Sequence, residues 1–189
     1  MLNWNKKIFC FLSIILLVVS IVYLINILIF NIIMPYNNDM TLNSTIHKTT
    51  LKIMPLGDSI TEGDLYGGYR VNLKQMMDNA GFNTDFVGRK TTNGNTTGFI
   101  DIEHEGYNSA TIDTPGYPYL ISDKINEDII ETFKPRVVLL LIGTNDLFCQ
   151  CKSEVQIRDS LSILIDNILN KDERVYIIVG TVPPLGPSR

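Results

Sequence analysis

Six consecutive apolar residues, Val137-Val138-Leu139-Leu140-Leu141-Ile142, stand between Pro135 and the turn Gly143-Thr144-Asn145-Asp146. A strand sends alternate side chains to opposite faces, so a run with no polar position needs both faces covered, as in a central strand of a parallel sheet flanked by helices. Residues 51–56 form a second short strand pattern ending at Gly57, and residues 175–179 form another buried run. Between them lie segments of helical spacing. One covers 69–79, with Val71, Leu73, Met76 and Met77 in phase and Gly81 as its stop. Another covers 119–133, through Leu120, Ile121, Ile125, Ile129, Ile130 and Phe133, and a third covers 154–169, through Val155, Ile157, Leu161, Leu164, Ile165 and Ile168. A short strand over 84–87 and a surface loop of Thr, Asn and Gly over 89–98 complete the pass. Strands alternating with helices of this length predict an α/β domain with a parallel sheet and right-handed crossovers.

The N-terminal region is of a different kind. Residues 8–38 carry no charge, and residues 8–25 are almost wholly Ile, Leu, Val and Phe. At about 1.5 Å of rise per residue such a stretch spans the hydrocarbon of a bilayer. A cleaved signal peptide is the alternative, but its apolar core is shorter, roughly 7–15 residues, and no small-residue cleavage site follows here. Lys6 and Lys7 precede the run, so the positive-inside bias keeps the N-terminus in the cytoplasm. The reading is therefore a cytoplasmic N-terminus over 1–7, a transmembrane signal-anchor over 8–34, a polar linker over 35–50 and an outward-facing domain over 51–189.

Removing Lys6, Lys7, Lys48 and Asp39 from the chain's 16 Lys plus Arg and 20 Asp plus Glu leaves 13 against 19 from Leu51 onward, a net of −6. A domain of that sign without a basic stripe is a poor nucleic-acid binder, and a neutral substrate suits it better. Cys149 and Cys151 are separated by one residue, a spacing too tight for an easy mutual disulfide. Asn43-Ser44-Thr45 and Asn95-Thr96-Thr97 fit the acceptor pattern for glycosylation, which matters only in a eukaryotic secretory protein.

In parallel sheets reactive groups gather beyond the carboxyl ends of the strands. Two turns fall there: Gly57-Asp58-Ser59-Ile60-Thr61 and Gly143-Thr144-Asn145-Asp146. A serine attacking a carbonyl needs exposure at a tight turn, a base, and N–H donors for the developing oxyanion. Ser59 is the candidate nucleophile, and Asn145 offers an amide donor that reaches an oxyanion without adding charge. Either turn alone reads equally as ordinary turn chemistry, since Asp, Ser and Asn are common in turns. Two at equivalent strand ends are harder to dismiss.

With Ile53-Met54-Pro55-Leu56-Gly57-Asp58-Ser59-Ile60-Thr61-Glu62-Gly63, Gly67-Gly68-Tyr69-Arg70, Asp85-Phe86-Val87-Gly88 and His104-Glu105-Gly106, the chain from about Leu51 resembles the SGNH, or GDSL, hydrolase superfamily. It is most similar to carbohydrate esterases of the acetyl xylan esterase type. The resemblance implies a three-layer α/β/α fold of flavodoxin-like type and removal of acetyl groups from polysaccharide without a cofactor or metal. It also implies Ser59 as nucleophile and an oxyanion held by the Ser59 amide and Asn145. A third amide comes from Ser109, where the family has glycine, or from Gly106.

The family's C-terminal Asp-x-x-His block has no counterpart here. His104 matches a position that shapes a loop and His47 lies in the linker, so neither is expected to be the base. Glu62, Asp64 and Asp146 read as turn and helix-start residues. The chain stops after the turn Pro183-Pro184-Leu185-Gly186-Pro187, where another helix and strand should follow. The domain is thus read as C-terminally incomplete and inactive in this form, the complete enzyme acting on acetylated polysaccharide. The rival readings are a non-catalytic carbohydrate-binding relative at the cell surface and a hydrolase directed at lipid or thioester.

Overall fold

A computed structural model describes residues 49–92, 101–149 and 151–182. The proposed span over 8–34, the linker residues His47 and Asn43, Asn95 and the turn after Val182 lie outside the described residues. Among the described residues no helix is long and apolar enough to cross a membrane.

The elements follow in the order β1 (Leu51–Gly57), α1 (Ser59–Glu62), α2 (Tyr69–Asn79), β2 (Thr84–Phe86), β3 (Glu105–Gly106), α3 (Ile121–Asn126), α4 (Ile129–Phe133), β4 (Val137–Leu141), α5 (Thr144–Phe148), α6 (Glu154–Lys171) and β5 (Tyr176–Val179). The sheet runs β2-β1-β4-β5, every pair parallel, and β3 pairs with β1. Since β4 occupies one edge of β1 from Ile53 to Gly57, β2 and β3 share the other: β2 beside residues 51–53, β3 beside 56 and 57.

Pro55 sits in the gap between them. Residues 53, 55 and 57 face the β2/β3 side, as the bonds from Val87 N to Ile53 O and from Tyr107 N to Gly57 O show. The N–H that proline lacks therefore falls where no ladder partner exists, and a proline in a central strand costs little.

The period-two alternation of the strands sorts the core into two layers. Ile53, Val137 and Leu139 point to one face, where Leu73 and Met77 of α2 and Phe86 cover them. Met54, Leu56, Val138 and Leu140 point to the other, against Ile121 and Ile125 of α3, Ile129 and Ile130 of α4, and Leu164 and Ile168 of α6. In α2, α3 and α6 the helical residues come in i, i+4 pairs, the spacing that stacks side chains on one helix face. Truncating any of these to alanine costs about 2–5 kcal/mol.

The segment over 119–133, expected to be one helix, is two. Asp128 takes a left-handed conformation (φ 59°) between α3 and α4, which aspartate tolerates better than most residues. The break is held by ion pairs of Lys171 with Asp128 and Glu131, and of Arg89 with Glu127. A second departure lies at the end of α5, where the sulfurs of Cys149 and Cys151 are joined across residue 150 despite their close spacing.

Candidate active site

Three loops leave the sheet at one level, because β1 stands in register with both neighbours: Gly57 is opposite Gly106 of β3 and Leu141 of β4. Neighbouring strands lie about 4.8 Å apart. The residues two to four positions further along each chain, Ser59, Ser109 and Asn145, therefore issue from a single rim. Gly57 makes the convergence possible, since a Cβ there would stand 1.9 Å from Leu141 O.

Asp58 and Ser59 start the first loop. The Asp58 side chain caps α1 by accepting from Ile60 N at 2.9 Å, and its N–H reaches Leu141 O at 3.4 Å. Asp58 is buried while Ser59 beside it is exposed. Burial pushes the Asp58 carboxyl above the usual carboxylate range, against the Ile60 N–H and the Thr144 hydroxyl, while the nearby Asp146 pushes it further up. No described residue accepts from the Ser59 N–H, which lies in the first turn of α1, where helix N–H groups lack intrahelical partners.

The second loop follows β3. Tyr107 N donates to Gly57 O at 3.0 Å and Ala110 N donates to Tyr107 O at 3.1 Å, closing a four-residue turn. Ser109, third in that turn, has φ 59°, whereas Asn108 keeps a negative φ. This is the type II pattern, which normally calls for glycine at the third position. Ser109 thus takes the conformation glycine adopts freely, and no described residue accepts its N–H.

Gly106, the other candidate amide, is committed elsewhere, because its N–H donates to His104 Nδ1 at 2.9 Å. Of the two, only Ser109 has its amide open to a ligand.

The third loop begins at Gly143, left-handed at φ 111°, and continues as α5. Asn145 Nδ2 donates to Ala110 O at 2.7 Å, tying the carboxamide to the Ser109 turn and leaving its second N–H without a described partner. Asp146, read from sequence as a helix-start residue, has a larger task. Fully buried, it accepts from Ile112 N at 3.1 Å and from the Thr114 hydroxyl at 2.8 Å, so α5 holds the segment after the Ser109 turn.

His104 is no base. It is fully buried, its Nδ1 accepts from Gly106 and its Nε2 donates to Thr92 O at 3.0 Å. Desolvation, Arg70 and Lys90 depress its pKa to about 4, so it stays neutral. Its role is structural, as its place in the loop implied.

Arg70 carries a role that sequence reasoning missed. Fully buried, it donates to the carbonyls of Thr61 (2.9 Å), Glu62 (2.9 Å), Ile102 (2.8 Å) and Thr92 (3.3 Å), binding the end of α1 to the approach to β3. The Gly-Gly-Tyr-Arg segment was its only signal. Glu62 reinforces the same junction through Lys90 at 2.5 Å, and Asp64 accepts from Tyr66 N as a turn residue.

A serine on a helix-initiating turn, with backbone and carboxamide N–H groups open beside it at the ends of parallel strands, defines a domain of the serine-hydrolase class with α/β architecture. Residues 56–189 match the GDSL-like lipase/acylhydrolase family, and the chain belongs to it. It is 33% identical over 156 residues to a multidomain esterase of Ruminococcus flavefaciens, covering 74% of this chain and 20% of that protein. The solved family 3 carbohydrate esterase of Clostridium thermocellum is 36% identical with a TM-score of 0.59, covering 69% of this chain and 61% of that one. A solved acetyl esterase variant with acetate ion is 26% identical with a TM-score of 0.55, covering 68% and 60%. The chain thus spans a fifth of the multidomain relative and about three fifths of the solved esterases.

Proposed function

We propose that the protein hydrolyses acetyl esters on a polysaccharide such as xylan, with Ser59 as nucleophile. The observation that carries this reading is the register of three adjacent strands, which brings Ser59, the Ser109 amide and the Asn145 carboxamide to one rim. The likeness to a carbohydrate esterase and an acetyl esterase supports the substrate class.

In this mechanism the Ser59 Oγ attacks the ester carbonyl carbon while its proton passes to a histidine oriented by an aspartate, both from outside the described residues. The carbonyl oxygen becomes an oxyanion and takes hydrogen bonds from the Ser59 N–H, the Ser109 N–H and Asn145 Nδ2. Collapse breaks the bond to the sugar oxygen, which leaves as a hydroxyl with the histidine's proton, and water then releases acetate from the acetyl-serine. Neither His47 nor His104 suits the base, so the 189 residues alone are proposed to be inactive. The charge-free run over 8–34 and the preceding lysines support a tether that presents the domain outside the cytoplasm.

Acetate release from acetylated xylan by the natural full-length protein tests the proposal. The wild type is expected to release acetate and Ser59→Ala to release none. A folded wild type without acetate release refutes it.

A further inference from the structure

The Ser59 turn and the Asn145 turn each carry, just before the working residue, a buried polar atom that has no hydrogen-bond partner. Asp58 Oδ2 and Thr144 Oγ1 both lie out of solvent and neither has a hydrogen-bond partner among the described residues. Asp58 spends its other oxygen on Ile60 N. Two orphans of this kind in one small region are unusual, because a buried donor or acceptor left unmade is costly.

Their chemistry is complementary. A hydroxyl donates and a carboxylate oxygen accepts, and the two residues flank the working groups: Asp58 precedes Ser59, and Thr144 precedes Asn145. Their turns leave β1 and β4 where Gly57 faces Leu141 and where Asp58 N bonds to Leu141 O. The Thr144 hydroxyl is near enough to stabilise the charged form of the Asp58 carboxyl.

We propose that Asp58 and Thr144 act as a positioning pair, in which the Thr144 hydroxyl donates to Asp58 Oδ2 when substrate seats against Ser59 and Asn145. The bond clamps the nucleophile turn to the oxyanion turn. In this structure the two groups stand close together but outside hydrogen-bond geometry, and they tighten when the tetrahedral oxyanion pulls Ser59 N–H and Asn145 Nδ2 together. Neither residue touches the reacting atoms. Both act through their neighbours in the chain. This inference rests on the esterase reading above.

The test is steady-state kinetics of the natural full-length protein on 4-nitrophenyl acetate, with Thr144→Val, Thr144→Ser, Asp58→Asn and Ser59→Ala compared. Thr144→Val keeps the shape and removes the hydroxyl, and is expected to lower kcat about tenfold to a hundredfold with KM within about twofold, since misplacement by a fraction of an ångström acts on the transition state. Thr144→Ser restores the donor and is expected to stay within about twofold of wild type in kcat. A merely structural role would move KM and thermal stability with kcat, and serine would not rescue it. Wild-type kcat in folded Thr144→Val overturns the pair. Should Thr144→Val not fold, the near-isosteric Asp58→Asn decides in its place: a lowered kcat at unchanged KM upholds the pair, and wild-type kcat overturns it. Ser59→Ala separates the two readings. If it keeps the wild-type rate, the esterase reading fails whatever residue 144 does; if it is inactive while Thr144→Val matches wild type, only the positioning pair fails.

Discussion

The turn after β1 and the turn after β3 stand side by side on the same rim, yet they are built on opposite terms. In the first, each residue suits its conformation: Asp58 caps α1 through Ile60 N, and Ser59 enters the helix at its exposed start. In the second, Ser109 occupies a left-handed position at φ 59°, which costs a residue with a Cβ about 1–2 kcal/mol. The strained turn survives because its surroundings hold it. Asn145 Nδ2 grips Ala110 O on one side, and Asp146 binds Ile112 N and the Thr114 hydroxyl on the other. The turn that carries Ser59 is thus made mainly by local sequence, whereas the Ser109 turn is held by contacts more than thirty residues away.

That contrast can be broken from either side. Ser59→Ala is expected to lower acetyl ester hydrolysis at least about a thousandfold with no loss of thermal stability, because the serine is exposed and its hydroxyl bonds to no described residue. Asn145→Ala removes both the proposed oxyanion donor and the grip on Ala110. It is expected to lower kcat about a hundredfold to a thousandfold and stability by about 1 kcal/mol, measured by urea unfolding. Asp146→Ala leaves Ile112 N and the Thr114 hydroxyl buried without an acceptor, and is expected to cost about 2–4 kcal/mol. Ser109→Gly relaxes the strained position while adding freedom to the unfolded chain, so a gain of about 0.5–1 kcal/mol is expected. A loss of stability in that variant would show that the serine side chain contributes more than its backbone costs.

The pH dependence of stability probes the buried histidine that ties β3 to the segment around Thr92. His104 has a folded pKa of about 4 against an ordinary 6.5, so between those values the unfolded chain binds the extra proton. Its contribution is complete above about pH 6.5 and is lost as pH falls toward 4. Urea unfolding of wild type and His104→Gln at pH 7 and pH 4.5 should show the gap between them narrowing at the lower pH. A constant gap would mean that His104 is not held neutral by its surroundings.

Much of this was legible in the sequence, and what was not has a physical reason. The unbroken apolar run at 137–142 announced β4 because full burial leaves no room for a polar position, and the i, i+4 pairs in 69–79 and 154–169 announced α2 and α6. The two-residue strand β3 was invisible, since its extended form comes from pairing with Leu56 and Gly57 rather than from its own residues. The break between α3 and α4 was missed because the apolar spacing runs on through it, while Asp128 turns in a conformation that spacing does not encode. Ser59 and Asn145 stood out as candidates because turn chemistry at strand ends is local. Position along the chain favoured Ser109 over Gly106 as the third amide, but that the Gly106 N–H is spent on the His104 ring depends on a contact the sequence does not spell out. Arg70 and Asp146 escaped for the same reason, as their partners lie in other segments of the chain.

The most direct measurement is a crystal structure of the natural full-length protein after reaction with a small organophosphonate that traps Ser59 as a tetrahedral adduct. The expected result is a phosphonyl oxygen about 2.7–3.1 Å from each of the Ser59 N, the Ser109 N and Asn145 Nδ2. An adduct on another residue, or a phosphonyl oxygen pointing away from Ser109 and Asn145, would contradict the account.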